Sequence, residues 1–281
     1  MVMPNKKSIY PDFSVLMSVY RKENPQFLDK ALTSVEKQTV VPTEIILVED
    51  GPLSTGLKKV IDRHRKSFSN RFKVIKSQTN KGLGYSLRIG TSYVTTQWIA
   101  RMDTDDISVP DRFELQLKMI KAHPDLMLVG GQVQEFAGNS NNIVGYRKVP
   151  KSGELIRDFV KWRNPFNHPS VMINKVALEQ VGGYIPFGNL EDYYLWIRMI
   201  SHNYSVSNID NILVKMRVDD GMYNRRGKIT NIKYFFRLRK FMYSKGLINR
   251  YEQLMGNIVI VLNIIAPSGI RKLIYQKELH K

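Results

Sequence analysis

The stretch Trp98-Ile99-Ala100-Arg101-Met102-Asp103-Thr104-Asp105-Asp106 decides the fold of this chain. It begins as an apolar run and ends in three carboxylates within four positions. This pattern indicates a buried strand that carries acidic groups to the edge of a sheet, which is where open α/β sheets bind ligands. Because clustered carboxylates disfavour one another's ionised form, the stretch predicts a hard divalent cation with oxygen ligands. The alternative is that these aspartates only cap a helix or form a turn.

Strand and helix patterns alternate along the chain on the amino-terminal side of this stretch. The alternation predicts βαβ units and a largely parallel sheet with buried strands. The predicted strands are Phe13–Tyr20, Glu44–Glu49 and Phe72–Lys76, with helices after Asn24-Pro25, around Leu57–Ile61 and after Asn80-Lys81-Gly82. Beyond the acidic stretch, the pattern predicts a helix from Pro110, a strand over Leu126–Phe136, a helix opened by Glu191-Asp192 and a last strand over Ile212–Val218.

Charge divides the chain into two parts. The 281 residues include 43 Lys and Arg against 25 Asp and Glu, for a net charge of +18, and no cysteine. Residues 221–281 alone hold 13 Lys and Arg against two acids, a net of +11. Such a segment favours anions, whether nucleic acid, anionic lipid or a phosphorylated substrate. We expect an α/β domain over residues 1–221 and a basic, amphipathic helical region over residues 222–281.

One apolar run lies inside the basic region. Ile258–Ala266 is too short to span a bilayer, and the chain has no run of about 18 apolar residues and no amino-terminal secretory pattern. The run is flanked by Arg250, Arg271 and Lys272. Apolar surface beside clustered Lys and Arg predicts a segment that lies in the interface of an anionic membrane. The alternative is a core helix packed on the α/β domain.

The order of the motifs carries a family resemblance. The motifs are Ser18-Val19-Tyr20, Val48-Glu49-Asp50-Gly51, Asn80-Lys81-Gly82, Asp103-Thr104-Asp105-Asp106 and Glu191-Asp192-Tyr193-Tyr194-Leu195-Trp196. Together, over residues 11–221, they resemble the family 2 glycosyltransferases, inverting enzymes of GT-A fold with a Rossmann-like nucleotide-binding half. The tail beginning Gly221-Met222-Tyr223 is similar to a subgroup that assembles bacterial capsule, exopolysaccharide or O-antigen.

The resemblance implies a nucleotide-sugar site. Tyr20 would border the uracil of a UDP-sugar, Asp50 would accept its N3–H, and Asp103 would contact the ribose. Glu23, Asn80, Arg88, Arg225 and Arg226 complete the expected nucleotide-sugar contacts. Arg88 is one position later than the arginine usual in the family, so a solvated surface arginine is an equal alternative. Arg225 and Arg226, with Arg217, would close over the diphosphate as a lid or else form a solvated basic loop.

The resemblance also implies the metal and the catalytic base. Asp105 would bind Mn²⁺ or Mg²⁺, with Asp106 as a second or supporting ligand. Asp192 would be the general base, and Glu191 would orient it or touch the acceptor. The alternative for both is ordinary acid at a helix start. His168 is a candidate for substrate or metal contact, against a structural role.

The implied function is metal-dependent, inverting transfer of one sugar from a nucleotide sugar, UDP-linked by expectation, to a polyprenyl-diphosphate-linked glycan. The enzyme would act at the cytoplasmic face of the cell membrane, in peripheral contact with it and without nucleic acid. A processive synthase is disfavoured because no Gln-x-x-Arg-Trp motif follows Asp192. Two other classes stay open: a sugar-1-phosphate nucleotidyltransferase, which would need a Gly-rich loop where Tyr20–Glu23 stand, and a basic nucleic-acid-binding module.

Overall fold

The structure is a computed structural model that describes residues 10–218 and 232–266. Within these residues one mixed sheet has the strand order β3-β2-β1-β4-β8-β6-β9-β5, and β7 pairs with β6. The strands are β1 Phe13–Tyr20, β2 Glu44–Asp50, β3 Phe72–Lys76, β4 Trp98–Arg101, β5 Ile107–Ser108, β6 Leu126–Phe136, β7 Ile143–Arg147, β8 Met172–Asn174 and β9 Ser205–Arg217. The helices are α1 Pro25–Glu36, α2 Thr55–Phe68, α3 Leu83–Ser92, α4 Arg112–Ala122, α5 Gly153–Phe159, α6 Lys175–Gln180, α7 Glu191–Ser201, α8 Ile232–Ser244 and α9 Arg250–Ile265.

The first four paired strands, β3-β2-β1-β4, run parallel and form the predicted α/β layer. Parallel pairing brings their carboxyl ends to one edge of the sheet, with Tyr20 of β1 opposite Asp50 of β2. β4 ends earlier along β1, with Arg101 opposite Leu16. The acidic residues that follow β4 therefore lie beside the last residues of β1.

Local sequence explains where the first helix begins. The side chain of Asn24 caps α1 by accepting a hydrogen bond from the backbone N–H of Gln26, and Pro25 takes the first helical position.

The structure corrects the predicted starts of two later elements, α4 and β9. α4 begins at Arg112 and not at Pro110, because Val109 still donates its N–H to Leu213 of β9.

The last strand of the sheet is longer than the sequence indicates. The pattern predicts Ile212–Val218, whereas β9 begins at Ser205 and pairs in parallel with β6 through several register shifts. The early part of β9 is polar and therefore lacks strand periodicity. Asn208 holds it in place by donating its side-chain amide to the carbonyls of Pro150 and Pro165, at 2.7 and 3.0 Å.

Each face of the sheet covers a separate core. α1, α2 and α4 pack on one face, and α3, α5, α6, α7 and α8 pack on the other. Leu238 and Met242 of α8 are buried in the same cluster as Trp196 of α7. The predicted carboxyl-terminal helices are thus present, with α8 packed in this core and α9 against α8, while the division at residue 221 stays a prediction. In residues 10–218 and 232–266 no helix combines the length and apolar character that crossing a membrane requires.

Candidate active site

The loops after β2 and β3 form one unit. Asp50 is buried, and its carboxylate accepts hydrogen bonds from the backbone N–H groups of Lys81 and Gly82, at 2.8 and 3.0 Å. Asn80 donates its amide to the backbone carbonyl of Asp50 at 3.3 Å. Gly51 has φ +87°, and a Cβ there would lie 2.8 Å from the nitrogen of Asn80. The glycine is therefore needed both for its backbone angle and for the close approach of the two loops.

Two of the predicted nucleotide contacts border this unit. Tyr20, at the end of β1 and in register with Asp50, is 43% exposed. Arg88 is exposed on α3, whereas Gly90 of the same helix packs against Leu16 and Val48 of the sheet. The roles of Tyr20, Asp50, Asn80 and Arg88 in binding a nucleotide stay predictions.

The acidic loop after β4 is held from three sides. Asp103 pairs with the guanidinium of Arg101. Thr104 donates its hydroxyl to the Glu23 carboxylate at 3.0 Å, which ties the loop to the end of β1. Asp106 accepts the backbone N–H of Arg217 at 2.8 Å through Oδ1, while its buried Oδ2 has no hydrogen-bond partner. The structure therefore brings Glu23 together with Asp103, Asp105 and Asp106, while their roles in binding the donor and the metal stay predictions.

Mutual repulsion is the electrostatic signature of this loop. Burial and then the charges of Asp103 and Glu23 raise the pKa of Asp105 to about 7. Burial and then Asp105 raise the pKa of Asp106 well above its usual value, and burial raises the pKa of Glu23. A cation would relieve this repulsion, and the oxygen donors suit Mn²⁺ or Mg²⁺. Within the described residues, no three acidic or histidine side chains are spaced as a complete metal cage.

Two buried arginines under the loop were not predicted as site residues. Arg101 is 1% exposed and keeps two guanidinium nitrogens, Nε and Nη1, without a hydrogen-bond partner. Arg112 is fully buried and donates Nη2–H to the backbone carbonyl of Arg101 at 2.7 Å. Burial and then the charge of Arg101 lower the pKa of Arg112 to about 9. A charged residue inside an otherwise apolar strand was the available signal for Arg101.

Arg217, expected in a lid or in a solvated basic loop, contacts two aromatic rings and two backbone carbonyls. Its guanidinium packs on the rings of Phe27 and Phe136, 3.6 and 4.6 Å from their centroids. It donates to the backbone carbonyls of Asp105, at 3.3 Å, and Gly138, at 2.8 Å. The guanidinium of Arg217 therefore lies against the acidic loop in this structure, and a part for it in a lid over the diphosphate stays a prediction. Arg225 and Arg226 lie outside the described residues.

The two acids of the later motif occupy the first turn of α7, where the helix dipole favours negative charge. Glu191 is buried and its Oε2 has no hydrogen-bond partner, and burial raises its pKa to about 7. Asp192 accepts the side-chain amide of Asn164 at 2.8 Å. A Cβ on Gly84, at the start of α3, would lie 3.4 Å from the Cβ of Glu191. The starts of α3 and α7 therefore meet beside the loops after β2 and β3.

His168 and Tyr184 link the acidic loop to α7. His168 Nε2 lies 3.2 Å from the Tyr184 hydroxyl, and the histidine ring lies 5.9 Å from that of Trp196. Burial and then the charge of Arg101 hold the pKa of His168 well below its usual value, so the imidazole is neutral. Burial raises the pKa of Tyr184, whose hydroxyl also senses the charges of Asp192 and Asp103. A contact of His168 with substrate or metal stays a prediction.

The chain is similar to known proteins in both sequence and fold. The glycosyl transferase family 2 model matches residues 14–182. The chain is 34% identical over 269 residues to the amylovoran biosynthesis glycosyltransferase AmsE of Erwinia amylovora, covering 95% of this chain and 98% of that protein. It is 32% identical over 271 residues to the UDP-Gal:alpha-D-GlcNAc-diphosphoundecaprenol beta-1,3-galactosyltransferase of Escherichia coli, covering 96% and 98%. The fold is similar to that of the mannosyltransferase PcManGT from Pyrobaculum calidifontis, solved with GDP-Man and Mn²⁺, with a TM-score of 0.63, 12% identity, and coverage of 96% of this chain and 80% of that one.

Proposed function

Because the chain belongs to glycosyl transferase family 2, we propose that it moves one sugar, with inversion, from a UDP-sugar to a hydroxyl of a lipid-linked glycan in bacterial surface polysaccharide biosynthesis. The observation that carries the proposal is that the first turn of α7 packs on the start of α3, whose capping residue Gly82 donates to Asp50, while Arg101 beneath the acidic loop acts on the charge of Glu191. A relative whose printed name gives a UDP-galactose donor and a diphosphoundecaprenol-linked acceptor supports the choice of both substrates.

The nucleotide binds at the unit formed by the loops after β2 and β3. Asp50 is the acceptor for the uracil N3–H, since each of its oxygens retains a lone pair beyond the backbone bond it already accepts. Tyr20 offers an exposed ring to the base. Asp103, on the neighbouring strand end, faces the ribose. Three adjacent strand ends thereby orient the donor with respect to α7.

The diphosphate end of the donor faces the acidic loop. Asp105 and Asp106 would hold Mn²⁺ or Mg²⁺, because their repulsion and the orphaned Oδ2 of Asp106 call for a cation. When bound, the cation supplies Lewis-acid neutralisation of the leaving diphosphate. Few protein ligands are needed, since Mg²⁺-type sites commonly take the remaining oxygens from substrate phosphates and water.

Proton removal from the acceptor falls to α7. Asp192 takes the acceptor hydroxyl proton as the general base, and the hydroxyl oxygen then attacks the anomeric carbon from the face opposite the diphosphate. Direct displacement inverts that carbon. Glu191, whose pKa burial raises to about 7, orients the acceptor beside Asp192.

Nucleotide release tests this function. Incubated with a panel of nucleotide sugars and Mn²⁺ or Mg²⁺, the protein should release UDP from a UDP-sugar, slowly to water and faster with a polyprenyl-diphosphate-linked acceptor. Excess EDTA and Asp105→Asn should each lower turnover by at least about 100-fold, because the charge on the leaving group is then unopposed. A nucleotidyltransferase would release no UDP from a UDP-sugar, and would form pyrophosphate only from UTP and a sugar 1-phosphate. Full turnover in EDTA would remove the metal from the proposal.

Peripheral membrane contact is the second part of the proposal. One face of α9 exposes apolar side chains at helical spacing, and their exposed fractions lie between 43% and 72%. They are Tyr251, Leu254, Ile258, Val259, Leu262 and Ile265. The opposite face packs on α8, where the Arg239 guanidinium donates to the carbonyls of Glu252 and Gln253. α9 therefore has a buried side and an unpaired apolar side, as an interfacial helix does.

The surroundings of this apolar stripe, the exposed side chains of α9, suit an acceptor carried by a membrane. Lys161, just after α5, lies 3.6 Å from Glu252 of α9, and Trp162 is 51% exposed beside it. Exposed aromatic and basic residues are typical of surfaces at a lipid headgroup layer. Two residues further on, Asn164 contacts Asp192. The segment from Lys161 to Asn164 therefore contacts both α9 and the proposed base.

Vesicle binding tests the membrane contact. The full-length protein should bind vesicles with anionic lipid in a salt-sensitive manner, and Leu254→Glu/Leu262→Glu should weaken binding by at least about 10-fold. Both side chains are exposed, so the fold should be retained. Val176→Glu, which changes an exposed apolar residue of α6, is the matched control. No binding by the parent protein at low salt would remove the membrane contact.

A further inference from the structure

Asn164 holds a fixed hydrogen bond to the proposed base. Its Oδ1 accepts the backbone N–H of Phe166 at 3.2 Å, and its Nδ2 donates to Oδ2 of Asp192 at 2.8 Å. A backbone N–H requires an acceptor, so the amide cannot be reversed without losing this bond. The amide nitrogen therefore faces the Asp192 carboxylate.

The loop that carries Asn164 is rigidly supported. Phe166 is buried, and its ring lies 5.4 Å from that of Trp196, which is one helical turn after Asp192 on α7. The carbonyl of Pro165 accepts the side-chain amide of Asn208 at 3.0 Å, which ties the loop to β9. The helix that bears Asp192 thus also anchors the loop that orients it.

We infer that Asn164 is a positioning residue that holds the Asp192 carboxylate in the orientation and ionised form in which it accepts the proton of the acceptor hydroxyl. The inference rests on the proposed function, which assigns the base to Asp192. A donor to a carboxylate stabilises the charged form over the neutral one. A fixed amide also reduces the rotation of the carboxylate, so that one oxygen stays directed at the acceptor.

The backbone N–H of Tyr193 donates to the other oxygen of Asp192 at 2.7 Å, and the titratable groups that interact with this carboxylate include Glu191 and Tyr193 on the same helix and Tyr184 from the loop before it. Substitution of Asn164 leaves all three in place. A change in the pH dependence of transfer then reports the lost amide donor.

The pH profile of kcat tests the inference. Asn164→Ala should move the acidic limb of the profile up by about one pH unit, the size expected for losing one hydrogen bond to a charged group. The KM for the UDP-sugar should stay within about twofold, because Asn164 lies on the acceptor side. A merely structural role would lower activity at every pH without moving the limb.

Two further variants make the result decisive. Asn164→Asp keeps an oxygen for the Phe166 N–H but presents a carboxylate to Asp192, so the limb should move further up. Asn174 lies on β8 opposite Trp98, at the start of β4, and its side chain accepts the backbone N–H of Ala177. Asn174→Ala removes this hydrogen bond, and the pH profile of the variant should match that of the parent. If Asn164→Ala does not fold, Asn164→Asp decides the question.

The outcomes separate this inference from the proposed function. If the pH profiles of the Asn164 variants superimpose on that of the parent while Asp192→Asn is inactive, Asn164 is not a positioning residue. If Asp192→Asn retains activity, the assignment of the base is wrong whatever the Asn164 variants do.

Discussion

At the scale of single residues, the acidic cluster can be predicted from the sequence, but the residues that hold the site in place cannot. Three aspartates within four positions identify the loop. Nothing local indicates that Asn164 contacts Asp192, because the two residues come from different elements that only the folded chain brings together. The contacts of Arg217 with the rings of Phe27 and Phe136 could not be predicted for the same reason, since the three residues are distant in sequence.

The buried arginine of β4 gives a prediction at this scale. Arg101→Met should lower the free energy of unfolding by about 3 kcal/mol, because Asp103 and the buried Asp106 lose their neighbouring positive charge. Urea unfolding measures the loss. Arg65→Met, an exposed arginine of α2, should change stability by no more than about 0.5 kcal/mol. Equal stability of the Arg101 variant and the parent would mean that this charge does not hold the loop.

At the scale of elements, strands with continuous apolar runs follow the sequence closely. β1, β3 and β6 have the predicted bounds. The short strands β5 and β7 were not predicted, because their pairing depends on β9 and β6 and not on their own composition. The polar start of β9 was missed because hydrogen bonds from the Asn208 side chain to the backbone carbonyls of Pro150 and Pro165, and not apolar periodicity, hold it in place.

A histidine joins α1 to α2 and makes their packing sensitive to pH. His64 is buried, with Nδ1 2.9 Å from Glu36 and Nε2 2.7 Å from Asp29, and Arg63 also pairs with Asp29. Burial lowers the pKa of His64, but the hydrogen bonds to Glu36 and Asp29 outweigh it and raise the folded pKa above the usual value. The stabilisation is therefore complete below the unfolded pKa of about 6.5 and is lost as the pH rises through the folded pKa.

The corresponding prediction compares two pH values. His64→Gln should lower the free energy of unfolding by on the order of 1 kcal/mol more at about pH 5.5 than at about pH 9.5. Urea unfolding of parent and variant at both values measures this difference. A gap that widens toward alkaline pH would show that the imidazole is held neutral between the two carboxylates.

At the scale of the whole molecule, motif order predicted more than composition did. The predicted family and the α/β fold of GT-A type are confirmed by the family match and the structural likeness. The net charge of +18 alone allowed a nucleic-acid-binding module, and the family match decides for an enzyme. Along the sequence the basic excess is concentrated in residues 221–281, apart from the acidic stretch at residues 103–106.

The central claim is that this molecule transfers a sugar with Asp192 as the base. The most direct test measures UDP affinity and transfer side by side in the parent and in Asp192→Asn, which is isosteric. We expect Asp192→Asn to keep the parent's Kd for UDP and to lose transfer by at least about 100-fold, the usual contribution of a positioned general base. Transfer by Asp192→Asn at nearly the parent rate would contradict it.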